Sequence, residues 1–285
     1  GVKRGHRIGA VVDATKRAKD AGLKVCYHMM PGLPGSDRAG DLASFRRLFE
    51  DERFMPDMLK IYPTLVVKGT GLYDMWKAGE YSPMSLEETV DLVAEMKNSV
   101  PEWVRILRVQ RDIPVQLIEA GVRKSHLREL SLAHLRQSGR ACRCIRCREI
   151  GHVPTAKEIA LDSPVEMRHM EYQASGGQEH FITFELLEAD SIIGYARLRL
   201  PSVRGVAARV RELHVYGQMA PLDGTGRKHW QHRGFGESLL SECERIAADA
   251  GFATISVTSG VGAREYYRRL GYSRDGPYMS KPTNR

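Results

Sequence analysis

A chain of 285 residues with 42% hydrophobic and 7% aromatic content is long enough for two modest cores. No stretch approaches the roughly 20 consecutive apolar residues of a membrane span, and GVKRGHRIGAVVD at the start lacks the apolar core of a signal peptide, so a soluble, cytoplasmic protein without membrane partners is the expectation. Five cysteines, three of them inside residues 142–147, suit a secreted disulfide framework poorly, and 43 Lys+Arg against 35 Asp+Glu leave a +8 chain fitted to an anionic partner.

DATKRAKDAG (13–22) has the pattern of a polar amphipathic helix ending in a Gly cap, and LKVCYHMM (23–30) that of a short buried parallel strand. PGLPGSD then breaks the chain. A helix over AGDLASFRRLFEDERF follows, then a strand over DMLKIYPTLVV (57–67), a loop KGTGLYDMWKAGEY and a helix SLEETVDLVAEMKNSV. Ser85 and Glu88 stand at capping-box spacing at the start of that helix. Such alternation predicts parallel β/α units with their chemistry on the loops after the strands, where PGLPGSD and PTLVVKGTG fall. Two or three units do not close a barrel, so residues 1–115 read as part of one.

Residues 116–163 form a basic connector. The window 101–150 holds eleven basic side chains against five acidic ones, and ten of the eleven are Arg, the side chain suited to bidentate phosphate contact. A solvated helix face with internal ion pairs is the alternative for such a run. CRCIRCREIGH adds Cys142, Cys144 and Cys147 at C-x-C-x-x-C spacing. Adjacent thiolates repel unless a cation neutralises them, so a structural zinc site with four tetrahedral ligands is expected, with reduced, metal-free thiols as the alternative. Cys26, on a strand, is the candidate fourth ligand; His28, His152 and a residue upstream of this chain are alternatives.

From about residue 164 the pattern changes. EHFITFELLE, SIIGYARLRL and ARVRELHVYG read as successive strands of an antiparallel sheet. A Gly-rich stretch, GTGRKHWQHRGFG, runs into a long helix, and the strand FATISVTSG and the short helix GAREYYRRLGY follow. QHRGFG (Gln231, His232, Arg233, Gly234, Phe235, Gly236) fits Q-x-x-G-x-G at a helix start, where glycines let the backbone approach a pyrophosphate and free N–H groups bind it. Residues 217–230 are long for such a connection, as functional lids often are.

Residues 164–285 resemble the GNAT acetyltransferase fold, in which Q-x-x-G-x-G/A holds the pyrophosphate of acetyl-CoA. The resemblance implies that Tyr267, four residues before Gly271, faces the departing thiolate, with Tyr266 able to share the role. Glu212 and His214 on RELHV have a base-like position, or are strand residues satisfied locally. Taken in order, HMMPGLPGSD, KIYPTLVVKGTGLYDMW, RVQRDIP, RELHVYG, HRGFG and SGVGAREYYRRLGY resemble the catalytic subunit of Elongator in its single-chain bacterial or archaeal form. That family joins a radical S-adenosylmethionine (SAM) barrel to an acetyltransferase domain and modifies the wobble uridine of tRNA. The fold class expected is α/β: the C-terminal half of a radical SAM (β/α) barrel (1–115), a zinc-binding linker (116–163) and a GNAT fold (164–285).

Radical SAM enzymes hold a 4Fe–4S cluster on C-x-x-x-C-x-x-C, a motif this sequence lacks, so the cluster-binding half is expected outside this chain. The resemblance implies that a deoxyadenosyl radical abstracts hydrogen from the acetyl methyl group, the carbon radical adds to the uridine ring, and thioester hydrolysis leaves a carboxymethyl group. Acetyl-CoA hydrolysis stimulated by tRNA is the expected partial activity. On that scheme Arg105, Arg108, Arg111, Arg123, Lys124, Arg128, Arg140, Arg143 and Arg146 line a groove for the anticodon stem and loop, and the uridine is splayed into a pocket. Lys60 and Lys68 flank the barrel mouth and contact SAM or substrate, or are solubilising lysines at strand ends; Gly32 and Gly35 approach SAM or make the turn. A homodimer is one assembly the resemblance implies. A protein lysine N-acetyltransferase and an inactive tRNA-binding module are the alternative functions.

Overall fold

The computed structural model describes residues 5–153, 164–203, 205–216 and 234–283. They fall into two units. The first comprises residues up to Ile8 with Cys26–Asp51 and Met55–Arg146; the second comprises Gly9–Val25, Glu52–Phe54 and Cys147 onward. Among the described residues no helix is long and apolar enough to cross a membrane.

In the first unit, strands β1 (Cys26–Met29), β2 (Met58–Ile61) and β4 (Arg105–Val109) form a parallel sheet in the order β1-β2-β4. Helix α2 (Arg38–Glu50) follows β1, and α4 (Leu86–Asn98) lies between β2 and β4 in sequence, as β/α units require. The capping box at Ser85 and Glu88 is formed in both directions. The strand expected over 57–67 is two strands. Pro63 has no N–H to continue a ladder, and beyond it β3 (Val66–Val67) turns away to pair antiparallel with β5 (Ile118–Ala120). The loop expected after it contains helix α3 (Gly71–Lys77), whose first turn is capped by the Thr70 hydroxyl. Helix α5 (Leu127–Gln137) fills much of the basic connector, and the single turn α6 (Ile145–Arg148) follows it.

The second unit is a seven-stranded sheet, β11-β12-β10-β9-β8-β7-β6. Its members are β6 (Val165–Gln173), β7 (Gly177–Leu186), β8 (Ser191–Pro201), β9 (Ala208–Val215), β10 (Thr254–Val257), β11 (Ser273–Asp275) and β12 (Tyr278–Pro282). All neighbours are antiparallel except β9 and β10, whose parallel ladder covers Ala208–Val210 against Ile255–Val257 and stops while β9 runs on. Helix α7 (Phe235–Asp249) and helix α8 (Arg264–Arg269) cover one face, where Leu198, Val210, Leu239, Cys243, Ile255 and Tyr267 are core.

The other face holds charge. Helix α1 (Ile8–Asp20), expected with the first segment, packs almost entirely in this unit because its polar residues find their partners here. Glu179 on β7 is bracketed by Arg211 (2.6 Å), Arg199 (2.9 Å) and Lys19 (3.6 Å), and all four are buried. Arg199 also reaches Asp20 at 2.7 Å. The carbonyl of Leu23 accepts from Arg211, which is why the strand expected from residue 23 begins only at Cys26. Gly22 closes the helix at φ +79°, where a Cβ would stand 2.2 Å from the Thr258 hydroxyl, so both conformation and space demand glycine.

Candidate functional site

The Gly-rich turn reaches the structure at Gly234, the N-cap of α7, in the left-handed region at φ 77°. Gln231, His232 and Arg233, like the loop 217–230, lie outside the described residues. Helix α7 has 15 residues, its N-cap Gly234 has no side chain to cap the first turn, and its N-terminus presents the positive dipole end that favours an anion. The Phe235 ring lies 4.8 Å from that of Phe184, fixing the entry of the helix. A Cβ on Gly236 would meet the Tyr266 hydroxyl at 3.1 Å and Val215 at 3.6 Å. The end of β9, the first turn of α7 and the Tyr266 hydroxyl therefore meet at one point.

The two tyrosines part company. Tyr266 is half-buried with its hydroxyl at α7. Tyr267 is a core residue, only 6% exposed, edge-on to Tyr266 and Tyr272. Burial, then Glu237, pushes the Tyr266 phenol up against the smaller opposing effect of Arg269. Burial, Tyr266 and Cys243 push Tyr267 up to about 12. Both are O–H donors at neutral pH rather than bases.

Glu212 and His214 lie on the opposite face of the sheet from these phenols, since Leu213 and Val215, the residues alternating with them, pack on the α7-side core. Glu212 accepts from Lys24 at 2.6 Å and Arg197 at 3.0 Å. Burial would raise its carboxyl, but the charges and hydrogen bonds of Arg197 and Lys24 outweigh it and hold the group below its ordinary value. It is thus a structural ion pair, the local satisfaction that the strand pattern left open. His214 is exposed and packs edge-on to Tyr216, ring centroids 4.4 Å apart.

Cys142, Cys144 and Cys147 are brought together, their sulfurs all within 4.8 Å of one another. Thiolates bound to one zinc at about 2.3 Å stand about 3.8 Å apart in a tetrahedron, so the cluster fits three positions around a single ion. Thiolates on three different irons of a 4Fe–4S cubane stand farther apart, so the triad does not fit that cluster. Cys26 does not join the triad, which corrects its expected role. It lies on β1, where burial raises its thiol, Lys60 lowers it and Asp57 raises it.

The register explains that position. Cys26 pairs with Met58 and Met58 with Arg105; His28 pairs with Lys60 and Lys60 with Arg108. Partners in a ladder share a face, so Cys26, His28, Lys60, Arg105 and Arg108 stand on one side of the parallel sheet. Leu59, Ile61 and Ile106 are fully buried on the other. Of the remaining basic candidates, Arg140 pairs with Glu95 and Arg143 with Glu102, while Arg128 donates to the carbonyl of Ile106. Arg123 donates to the carbonyl of Glu119, Arg111 and Lys124 are exposed, and Arg146 is half-buried. Gly32 and Gly35 both have φ +80°, the conformation of the turn after β1.

A partial β/α barrel joined to a sheet with a glycine-capped helix defines a two-part class, a radical SAM C-terminal domain with a GNAT acetyltransferase. The family models agree: "Radical_SAM C-terminal domain" matches residues 56–137 and "Acetyltransferase (GNAT) family" residues 150–272. The structure titled "The archaeal Methanocaldococcus infernus Elp3 with N-terminus deletion (1-46)" superposes at TM-score 0.89 with 46% identity, over 98% of this chain and 68% of that one. The tRNA uridine(34) acetyltransferase of Methanocaldococcus jannaschii is 48% identical over 98% of this chain and 53% of its own length. Elongator complex protein 3 of Saccharomyces cerevisiae is 46% identical over 98% and 52%. The chain belongs to the Elp3 family, and it spans about half the length of the curated relatives it matches.

Proposed function

We propose that this chain is the acetyl-CoA-handling and tRNA-binding part of an enzyme that modifies the wobble uridine of tRNA. The observation that carries this is the meeting of the α7 N-terminus, Gly236 and the Tyr266 hydroxyl in a chain 48% identical to a tRNA uridine(34) acetyltransferase. Acetyl-CoA is seated with its pyrophosphate on the N–H groups of the first turn of α7, where Gly234 and Gly236 leave room for it. In hydrolysis, water adds to the thioester carbonyl, the C–S bond breaks, and the departing thiolate takes a proton. Tyr266 is placed to hydrogen-bond that sulfur, and Tyr267 braces it from the core. Glu212 is not the base, because it is ion-paired on the other face.

Cys142, Cys144 and Cys147 hold a structural zinc ion. SAM with a 4Fe–4S cluster supplies radical chemistry in this family, but the cysteines of this chain do not fit that cluster. Exposed Arg111 and Lys124, with the cationic face of the barrel sheet, serve the anticodon stem and loop. Arg140 and Arg143 are committed to ion pairs and hold the fold.

The test is acetyl-CoA hydrolysis by this chain with and without tRNA bearing an unmodified wobble uridine. Stimulation that Tyr266→Phe and the Arg111→Glu/Lys124→Glu pair both abolish supports the reading. Acetyl transfer to a peptide amine, unaffected by RNA, would replace it with a lysine acetyltransferase.

A further inference from the structure

The side of the parallel sheet opposite its buried apolar face carries a rank of nitrogen groups at one level. His28, Lys60 and Arg108 are successive register partners across β1, β2 and β4. Strands lie about 4.8 Å apart, so the rank spans about 10 Å. Arg105 lies on the same face nearer the strand beginnings, and none of the residues paired on this face is acidic. His28 and Arg108 are exposed and Lys60 half-buried. Arg108 touches Asp112, but that contact is solvent-exposed on both sides and competes weakly with a better anion. The Tyr62 ring stands edge-on to His28 at 5.4 Å, a firm wall for the end of the rank. In β/α barrels the face turned away from the helices is the inner one, and chemistry sits toward the strands' C-terminal ends, where this rank lies.

We infer that His28, Lys60 and Arg108 form a phosphate rail that holds the phosphodiester groups flanking the base presented to the barrel. The inference rests on the RNA reading above and adds to it the place where the backbone is held. Length selects the ligand. A lone carboxylate, such as that of SAM, occupies one cation, whereas three donors spread over about 10 Å match successive phosphates of an extended single strand. Lys60 acts as a point charge, Arg108 as a two-pronged donor, and His28 contributes a ring edge. A backbone held on this rail would fix the splayed base without reading its sequence.

The experiment measures binding of the full chain to an anticodon stem-loop RNA by fluorescence anisotropy, across a salt series. It is repeated with an RNA carrying uncharged methylphosphonates on both sides of the wobble nucleotide. On the wild type the neutralised RNA should bind roughly tenfold more weakly, the worth of one charge-assisted hydrogen bond. In Lys60→Gln and in Arg108→Gln the difference between the two RNAs should shrink, because one of the neutralised phosphates has already lost its cation, Lys60→Arg should restore it, and each lost cation should lower the salt slope by about 0.7. Arg108 is solvent-exposed, so its variant tests the rail even if Lys60→Gln were to unfold. A methylphosphonate penalty as large in both variants as in the wild type overturns the rail while leaving the RNA reading standing. A Lys60→Gln variant that loses SAM affinity with RNA binding intact assigns the rank to the cofactor's carboxylate and overturns it too. A wild-type chain that binds neither RNA overturns both.

Discussion

The two sheets carry the same kinds of side chain on one face and treat them in opposite ways. On the α1 side of the seven-stranded sheet, Lys19, Arg199 and Arg211 are buried, each within 3.6 Å of Glu179, and Arg197 is held by Glu212. On the parallel sheet, His28, Lys60, Arg105 and Arg108 share a face on which His28 and Arg108 are exposed, and Arg108 meets Asp112 between exposed side chains. Enclosed charges are matched by opposite charges because an unmatched buried ion costs several kcal/mol. Cations left toward solvent carry no such penalty. Basic residues in this chain therefore divide by neighbourhood rather than by type, into those that hold the fold and those that can bind.

The largest test of that division is Glu179→Gln. Three buried cations would lose their shared carboxylate, at a cost of roughly 3–5 kcal/mol. Thermal unfolding followed by circular dichroism should shift down by roughly 6–20 °C. A shift below about 2 °C would mean that water already reaches these groups and that the enclosed face is not enclosed.

Glu212→Gln should have a smaller effect, about 1–3 kcal/mol, because Lys24 is 37% exposed and can turn to water. Its carboxyl is held below its ordinary value, so the stability it contributes is present above that ordinary value and is lost as pH falls through the depressed one. The gap in stability between wild type and variant should close in acid. Acetyl-CoA hydrolysis, measured where both are folded, should stay within about threefold. Loss of hydrolysis at unchanged melting temperature would restore Glu212 as a base.

Much of this was legible in the sequence. The capping box, the glycine-led α7 and the cysteine triad follow from spacing alone. What escaped were relations between distant residues. Nothing in DATKRAKDAG says that Lys19 and Asp20 will meet Glu179 and Arg199, since an amphipathic pattern gives a face and not its partner. Cys26 looked like a fourth thiolate because strand alternation does not tell which face turns to which neighbour. It is the grouping of the three other sulfurs within 4.8 Å of one another, without Cys26, that separates it from the triad. Arg140 and Arg143 looked like RNA contacts for a similar reason: Glu95 and Glu102, 45 and 41 residues away, are invisible in a charge count. Strand β6 was missed because VEMRHMEYQ, on the sheet edge, is too polar to alternate clearly.

Gly236→Ala tests a position between the enclosed and the open. Alanine favours a helix over glycine by about 1 kcal/mol, but its Cβ would meet the Tyr266 hydroxyl at 3.1 Å. The substitution should therefore be near neutral in the wild type and stabilising by about 1 kcal/mol in a Tyr266→Phe background, where the hydroxyl is gone. Urea unfolding of the four proteins gives the coupling directly. Equal effects in both backgrounds would separate the hydroxyl from the first turn of α7 and weaken its assignment to the thioester.

The smallest expected effect is the most telling for the open face. Arg108→Gln should leave stability within about 0.5 kcal/mol of wild type, because its contact with Asp112 is between exposed side chains. Set beside the several kcal/mol expected for Glu179→Gln, that difference would show that burial, and not the count of ion pairs, decides which charges the fold depends on. A loss near 2 kcal/mol would instead make Arg108 part of the scaffold, like Arg128 on the Ile106 carbonyl. The cationic face of the barrel sheet would then need some other account than binding.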